Sequence, residues 1–234
     1  MLVSLRHRIV ILSMPKTATT SIDHALSPLC EMVFRQNPRI KHLNYRKFKR
    51  LVGPLLERAE LRRADVEVIC LMRDPSRWVS SWYRYLSQKH FRNNELYTGD
   101  MTYQEYIEKR TVGKDEATTN QINFLLGFNG KIGVDRLFRM EDDDWKTYLS
   151  AKFGQEIEFP YKNVTRIEET EVIDLRTVLP LHYQLYDSLR PDGLVAWHPP
   201  RKTSTGHEDD LSSESSAAFE GNGKRHARKA RSIG

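Results

Sequence analysis

Two short segments carry residues whose types and spacing suit the chemistry of anions. The first, Met14-Pro15-Lys16-Thr17-Ala18-Thr19-Thr20-Ser21, sets one lysine ahead of a run of hydroxyl side chains. The second is Arg73-Asp74-Pro75-Ser76-Arg77-Trp78-Val79-Ser80-Ser81-Trp82-Tyr83. Each lies where an apolar run gives way to an amphipathic one. A helix starting there presents unpaired backbone N–H groups and the positive end of its dipole, which suits a phosphate or sulfate. Lys16 adds a full charge, and Thr19, Thr20 and Ser21 add hydroxyl donors. A plainer reading of the first segment is a Ser/Thr-rich helix start with a solvated lysine. The second can equally be a capped helix whose Trp78, Trp82 and Tyr85 pack in the core. A Walker A loop (GxxxxGK[ST]) and a Rossmann turn (GxGxxG) are both excluded from the first segment, because the first glycine of the chain is Gly53.

The elements that must position these segments can be read around them. Arg8-Ile9-Val10-Ile11-Leu12-Ser13 is a β-branched run closed by Pro15 and predicts a buried strand. Over 17–29, Ile22, Ala25, Leu26 and Leu29 recur at helical spacing, and Pro28 ends the pattern. Phe48, Leu51, Leu55 and Leu56 predict a second helix interrupted near Gly53-Pro54. Residues 66–72 form the clearest strand, followed by a helix over 76–90 with Asp74 or Ser76 as its cap. Further helices are predicted through Arg110, over 120–126 and over 142–153, the last stopped by Gly154. A strand is predicted over 131–139 and a final helix, disturbed by Pro180, over 172–189. Strands alternating with helices imply a single three-layer α/β domain over 1–198 with a mainly parallel central sheet flanked by helices.

Together the two segments resemble the paired nucleotide-binding motifs of sulfotransferases that use 3′-phosphoadenosine-5′-phosphosulfate (PAPS). The first is similar to that family's PKxGTTxL loop, and the second to its RxPxxRxxSxY element. Weaker resemblance continues through Gln121-Ile122-Asn123-Phe124-Leu125, then Val134 to Glu141, then Pro160-Tyr161-Lys162-Asn163-Val164-Thr165, so that it spans roughly residues 8–190. It implies a P-loop NTPase-like sulfotransferase fold, PAPS as co-substrate and no metal. It places Lys16, Thr17, Ala18, Thr19, Thr20 and Ser21 around the 5′-phosphosulfate, and Arg73 and Ser81 on the 3′-phosphate. Ala18 stands where the family has glycine. Its methyl group can crowd a phosphate oxygen or resist a positive φ, and toleration is expected because alanine is the smallest alternative.

The reaction so implied is an in-line displacement at sulfur by an acceptor hydroxyl or amine, with Lys16 meeting the charge that develops on the leaving oxygen. A hydroxyl acceptor needs a general base. His42, within Arg39-Ile40-Lys41-His42-Leu43, is the leading candidate, since nearby lysines can keep it neutral. His24 reads as a structural residue of the first helix, Glu31 and Glu60 stay open, and His90 reads as a helix-end cation. The basic residues between the two segments lean towards an anionic or carbohydrate acceptor. Two other readings stand beside this one: a non-catalytic module that binds PAPS or another nucleotide, and a kinase of related fold. The missing Walker glycines and the lack of an evident magnesium ligand disfavour the kinase.

Composition sets the bounds. With 234 residues and a formal net charge of +6, the chain has room for one substantial core and favours anionic partners. Nucleic acid is not expected. Cys30 and Cys70 lie in apolar stretches and read as reduced thiols without metal-ligand spacing. Glu141-Asp142-Asp143-Asp144 reads as an acidic helix start rather than a metal site. No stretch approaches the ~18 apolar residues of a membrane span, and no signal sequence is evident, so a cytoplasmic protein is expected and the Asn163-Val164-Thr165 sequon reads as chance. From Pro199 onward the chain loses its apolar residues, which predicts a disordered tail over 199–234 with a basic run at Lys224-Arg225 to Arg231.

Overall fold

The short apolar runs form a five-stranded sheet, and their alternation explains how both of its faces are buried. The computed structural model describes residues 1–111, 120–160 and 173–198. The tail over 199–234, the Asn163 sequon and the part of the last motif over 161–165 lie outside the described residues. In chain order the elements are β1 (Leu2–Ser4), β2 (Ile9–Leu12), α1 (Thr19–Leu26), β3 (Met32–Val33), α2 (Pro38–Lys41), α3 (Tyr45–Leu51) and α4 (Gly53–Arg58). They continue with β4 (Glu67–Met72), α5 (Pro75–Leu86), α6 (Tyr103–Thr111), α7 (Gln121–Leu125), β5 (Arg136–Arg139), α8 (Asp144–Phe153) and α9 (Pro180–Asp187).

The strands lie in the order β3-β1-β2-β4-β5. β2, β4 and β5 run parallel, with Leu12 opposite Cys70 and Met72 opposite Arg139. β1 pairs antiparallel with both β2 and β3, so the sheet is mixed. The reason is the length of the first connection. Arg8 N–H donates to the Leu5 carbonyl at 3.2 Å, a tight turn far too short for the crossover that parallel strands need.

Side chains alternate across each strand. Val10, Leu12, Val68, Cys70, Met72 and Leu137 pack against Phe48 of α3, Leu56 of α4, Leu125 of α7 and Leu185 of α9. Ile9, Ile11, Ile69, Leu71 and Phe138 pack on the other face against Ile22 and Leu26 of α1 and Trp145, Leu149 and Phe153 of α8. Burial on both faces is why these strands read as unbroken apolar runs rather than as alternating ones. Each such large side chain contributes about 1.5–3 kcal/mol. A third cluster joins Trp78, Val79, Trp82 and Leu86 of α5 to Tyr106 and Ile107 of α6 and Tyr183 of α9.

Several boundaries differ from the sequence expectation. α5 ends at Leu86, and His90 is exposed in a separate 3-10 turn, its ring 4.2 Å from that of Phe91. The strand expected over 131–139 pairs only from Arg136, because the chain before it folds back and Leu126 bridges Ile132. Pro180 starts α9 rather than disturbing a longer helix, since the N–H of a first-turn residue makes no intrahelical bond that proline could remove.

At the opening end of the parallel strands, Glu67 accepts from Arg136 Nε at 2.5 Å, from Lys152 Nζ at 2.9 Å and from the Tyr148 hydroxyl. Burial works to raise its carboxyl, but these partners overcome it and hold the group at about 2, against an ordinary 4.5. The carboxylate's contribution is therefore complete above the ordinary value and is lost as pH falls through about 2. Urea unfolding should show Glu67→Gln destabilising the protein at pH 7 and the difference from wild type shrinking towards pH 2. An equal difference at both pH values would count against this network.

Candidate anion-binding site

Because β2 and β4 are parallel neighbours, the chain leaves both at the same edge of the sheet, where α/β folds hold their ligands. The two sequence segments meet there. Arg73 Nη1 donates to the Lys16 carbonyl at 3.3 Å, and Trp78 Nε1 donates to the Pro15 carbonyl at 2.8 Å. Trp78 is therefore both a core residue, as expected, and a strut under the first loop.

The loop is shaped by two left-handed residues on either side of Thr17: Lys16 at φ 66° and Ala18 at φ 55°, ψ 20°. Alternation of this kind turns successive N–H groups into a concavity for an anion. Each such residue costs roughly 1–2 kcal/mol without glycine, a strain that points towards function. Ala18 is also the N-cap of α1 and has no side-chain acceptor with which to cap it. The first intrahelical bond runs from Ile22 N–H to the Ala18 carbonyl at 3.2 Å, so the N–H groups of Thr19, Thr20 and Ser21 precede the helical ladder. Of the hydroxyls, Thr19 is half-buried and Thr20 exposed. Thr17 and Ser21 differ from the expectation that they donate to a ligand. Both are buried, and they donate to the carbonyls of Met14 at 2.9 Å and Pro160 at 2.6 Å, as buried hydroxyls must find partners. What they can offer an anion is their backbone.

The Lys16 ammonium lies 4.3 Å from the centre of the Tyr85 ring. Burial first, then Arg73 and Arg84, bring its pKa down to about 8 from 10.5. Arg73 is itself lowered, mainly by burial, with Glu141 opposing and Arg84 and Arg77 reinforcing the shift. Its Nε is buried without a hydrogen-bond partner, 3.8 Å from Glu141 Oε1. Two side chains fix it. Gln121, fully buried, accepts from Arg73 N–H at 3.0 Å and donates to the Arg73 carbonyl at 2.8 Å, pairing with the main chain as a strand would. Glu141 accepts from Asp74 N–H at 3.2 Å and from the Tyr186 hydroxyl at 2.9 Å. The Glu141 carboxyl is raised by burial, against those bonds and Arg73. The acidic run thus splits: Glu141 turns inward, and α8 opens at Asp144, two residues later than expected.

Ser81 is 8% exposed on α5, whose N-cap is Asp74, accepting from Arg77 N–H at 2.9 Å. Ser76, the other expected cap, is buried and bonded to the Tyr183 hydroxyl at 2.7 Å. His42 closes α2, and its Nδ1 donates to the Ser13 carbonyl at 2.6 Å, three residues ahead of Lys16. A carbonyl only accepts, so Nδ1 carries the proton and Nε2 is the basic nitrogen. Its pKa falls to about 4, and burial is the larger cause, with Lys41 contributing less. Lys41 is bound to the buried Asp23 of α1 at 2.7 Å, which anchors α2 over α1.

The other base candidates lie elsewhere. Glu31 accepts from Leu5 N–H at 2.8 Å at the β1–β2 turn, Glu60 is exposed after α4, and His24 is exposed on α1. A cavity of about 500 Å³, lined by Arg6, Arg8, Arg63, Glu67, Asp135 and Lys152, also opens at the far edge of the sheet. Four of its charges are engaged with one another, Arg63 with Asp135 at 2.8 Å and Lys152 with Glu67 at 2.9 Å. Among the described residues, no three His, Cys, Asp or Glu side chains group as metal ligands, and no helix is long and apolar enough to cross a membrane. Compared with protein-family models, with curated proteins and with solved structures, the chain matches none.

Gln121, Glu141, Tyr85 and Arg84 are the participants that motif reading passes over. Arg84 alone had a local signal, three residues beyond Ser81 on one helix. The strain at Ala18 gives a direct check. Ala18→Gly should raise the melting temperature by about 1–3 °C, because relief of the left-handed alanine outweighs the extra freedom of the unfolded chain. Ala18→Val should lower it. A drop with glycine would show that the loop is not held in this conformation.

Proposed function

We propose that the chain is a sulfotransferase that uses PAPS and passes its sulfuryl group to a hydroxyl or amine acceptor. The observation that supports this reading most is the contact between Arg73 Nη1 and the Lys16 carbonyl, which gathers the cations of two strand-end turns at one edge of the sheet. The left-handed loop, the uncapped first turn of α1 and the unbonded Nε of Arg73 fit a phosphorylated nucleotide. The parallel β2-β4-β5 core is compatible with a P-loop-like arrangement.

In this reading the backbone of Lys16 to Ser21 holds the 5′ end, and Arg73 and Ser81 hold the 3′-phosphate. The nucleotide supplies the sulfuryl group, which moves to the acceptor oxygen as its bond to the 5′-phosphate breaks. Lys16 neutralises the charge that appears on the leaving phosphate oxygen, an electrostatic role that is strongest in a water-poor site. His42, neutral above about 4, takes the acceptor proton at Nε2, and Asp23 with Lys41 positions the segment that carries it. The acceptor approaches across 31–65, where ten Lys and Arg residues outnumber four Asp and Glu, so anionic or carbohydrate acceptors fit best.

Adenosine 3′,5′-bisphosphate should raise the melting temperature far more than ATP or AMP does, and equal shifts from all three would remove the cofactor assignment. With labelled PAPS and a panel of glycans, phenols, sterols and lipids, Lys16→Ala should abolish transfer. His42→Ala should cut turnover about 100-fold or more with nucleotide affinity kept. Full turnover by either variant would take that residue out of the mechanism. The pH profile of kcat/KM should be a bell: it rises as His42 loses its proton near 4 and falls as Lys16 loses its own near 8. A flat alkaline limb through pH 9 would contradict the role of Lys16.

A further inference from the structure

The side of α5 that meets the first loop is a stripe of aromatic rings. Trp78, Trp82 and Tyr85 stand four and three residues apart, a spacing that keeps all of them on one helix face. Each ring meets the next edge-on, Trp78 and Trp82 at 6.1 Å and 87°, Trp82 and Tyr85 at 5.7 Å and 74°. Phe91, from the 3-10 turn Lys89–Phe91, packs against Tyr85 in the same manner at 4.8 Å and 66°. Edge-to-face contacts fix the direction in which a ring faces as well as its place. Tyr85 is half-buried, so part of its surface is left for another group.

The stripe touches the loop at two consecutive residues. Trp78 Nε1 donates to the Pro15 carbonyl at 2.8 Å, and the Tyr85 ring receives the Lys16 ammonium 4.3 Å from its centre. One end of the stripe holds the loop's main chain and the other its charged side chain. Among the described residues, no hydrogen bond or ion pair involves the Lys16 ammonium. The carboxylates of the site are engaged elsewhere: Glu141 with Tyr186 and Asp74 N–H, and Asp74 with the first turn of α5. The choice of partner matters chemically. A carboxylate would neutralise Lys16 and compete with any anion brought to it. A ring face attracts the ammonium through its quadrupole and leaves the full charge in place.

We infer that Tyr85 is a positioning residue for Lys16: its ring face holds the ammonium at the first loop, unneutralised, for the oxygen that gains negative charge in the transfer. This rests on the reading proposed above, in which Lys16 meets that charge, and adds a residue that neither sequence segment includes. Tyr85 acts through Lys16 rather than on the nucleotide itself.

The test varies the charge on the ring face at nearly constant shape. Tyr85 is replaced by phenylalanine, and by phenylalanines carrying one, two or three ring fluorines, which draw electrons out of the face. Two quantities are measured on the full chain: transfer from labelled PAPS to an acceptor from the panel above, and the titration of the Lys16 ε-carbon in ¹³C-lysine-labelled protein, assigned by its loss in Lys16→Arg. A weaker face favours the ammonium less, so the Lys16 midpoint should fall stepwise with fluorine, by about 0.4–1.5 pH units in all. The alkaline limb of the pH profile should move down with it. Over the same series kcat should fall about 2- to 30-fold, with KM for PAPS changing less than about threefold. Tyr85→Phe, which keeps the face, should restore most of the turnover that Tyr85→Leu loses.

If fluorine leaves both the midpoint and kcat unmoved, Tyr85 is a packing residue and the inference is wrong, whatever Tyr85→Leu does. A midpoint that falls while kcat holds steady would likewise show that the ring does not position Lys16 for transfer. Should the leucine variant fail to fold, the fluorinated series decides alone. A wild type that transfers nothing from PAPS removes the sulfotransferase reading, and the part of Tyr85 in transfer with it. The Lys16 midpoints, read without PAPS, tell that failure from a failure of the contact.

Discussion

The parallel pairing of β2 with β4 obliges two cationic turns to lie side by side, and most of what is distinctive in this molecule answers that constraint. Bringing Lys16 and Arg73 together out of water is unfavourable, as their lowered pKa directions record. The fold offsets this in three ways. Tyr85 offers a ring face to the Lys16 ammonium, an interaction of about 0.5–2 kcal/mol. Glu141 supplies a carboxylate close to Arg73, and Gln121 grips the Arg73 main chain from both sides. The repulsion that remains is what a bound anion would relieve.

Strain and burial in the first loop work in the same direction. Lys16 and Ala18 are held left-handed although neither is glycine, and the hydroxyls of Thr17 and Ser21 are used up inside the protein. The result is a cradle made of backbone N–H groups, set before any ligand arrives. Preorganised donors of this kind need no reordering when an anion arrives, so little is lost in ordering them on binding. His42 is fixed by comparable means. Its proton is pinned to Nδ1 by Ser13, and its position is set by the Asp23–Lys41 ion pair.

Much of this was legible in the residues, and the illegible part has a physical pattern. β2 and β4 stood out because both of their faces are buried, and α5 because Asp74 and Pro75 announce its start. Local signals of that kind need no tertiary knowledge. β1 was harder, since three residues carry no period, and its antiparallel pairing follows only from the tight turn after it. Arg136 begins β5 later than its apolar run suggests, because the preceding segment folds back on itself through Leu126 and Ile132. In the site, Lys16 was named from its type and position, and Arg73 and His42 through the family resemblance. Gln121 and Glu141 were not given roles, because each acts through Arg73 from 48 and 67 or 68 residues away, and no spacing encodes that meeting. The hydroxyl of Ser21 looked like a ligand donor for a related reason: a sequence shows the group but not the carbonyl it has already found.

The central claim is that the two turns grip opposite ends of a single nucleotide. Nuclear magnetic resonance of ¹⁵N-labelled protein titrated with adenosine 3′,5′-bisphosphate tests it most directly. The backbone amides of Thr19, Thr20 and Ser21 and the Nε–H of Arg73 should all shift, and along one saturation curve with a common midpoint. Shifts at one turn only, or at both with separate midpoints, would mean that the turns do not share a ligand.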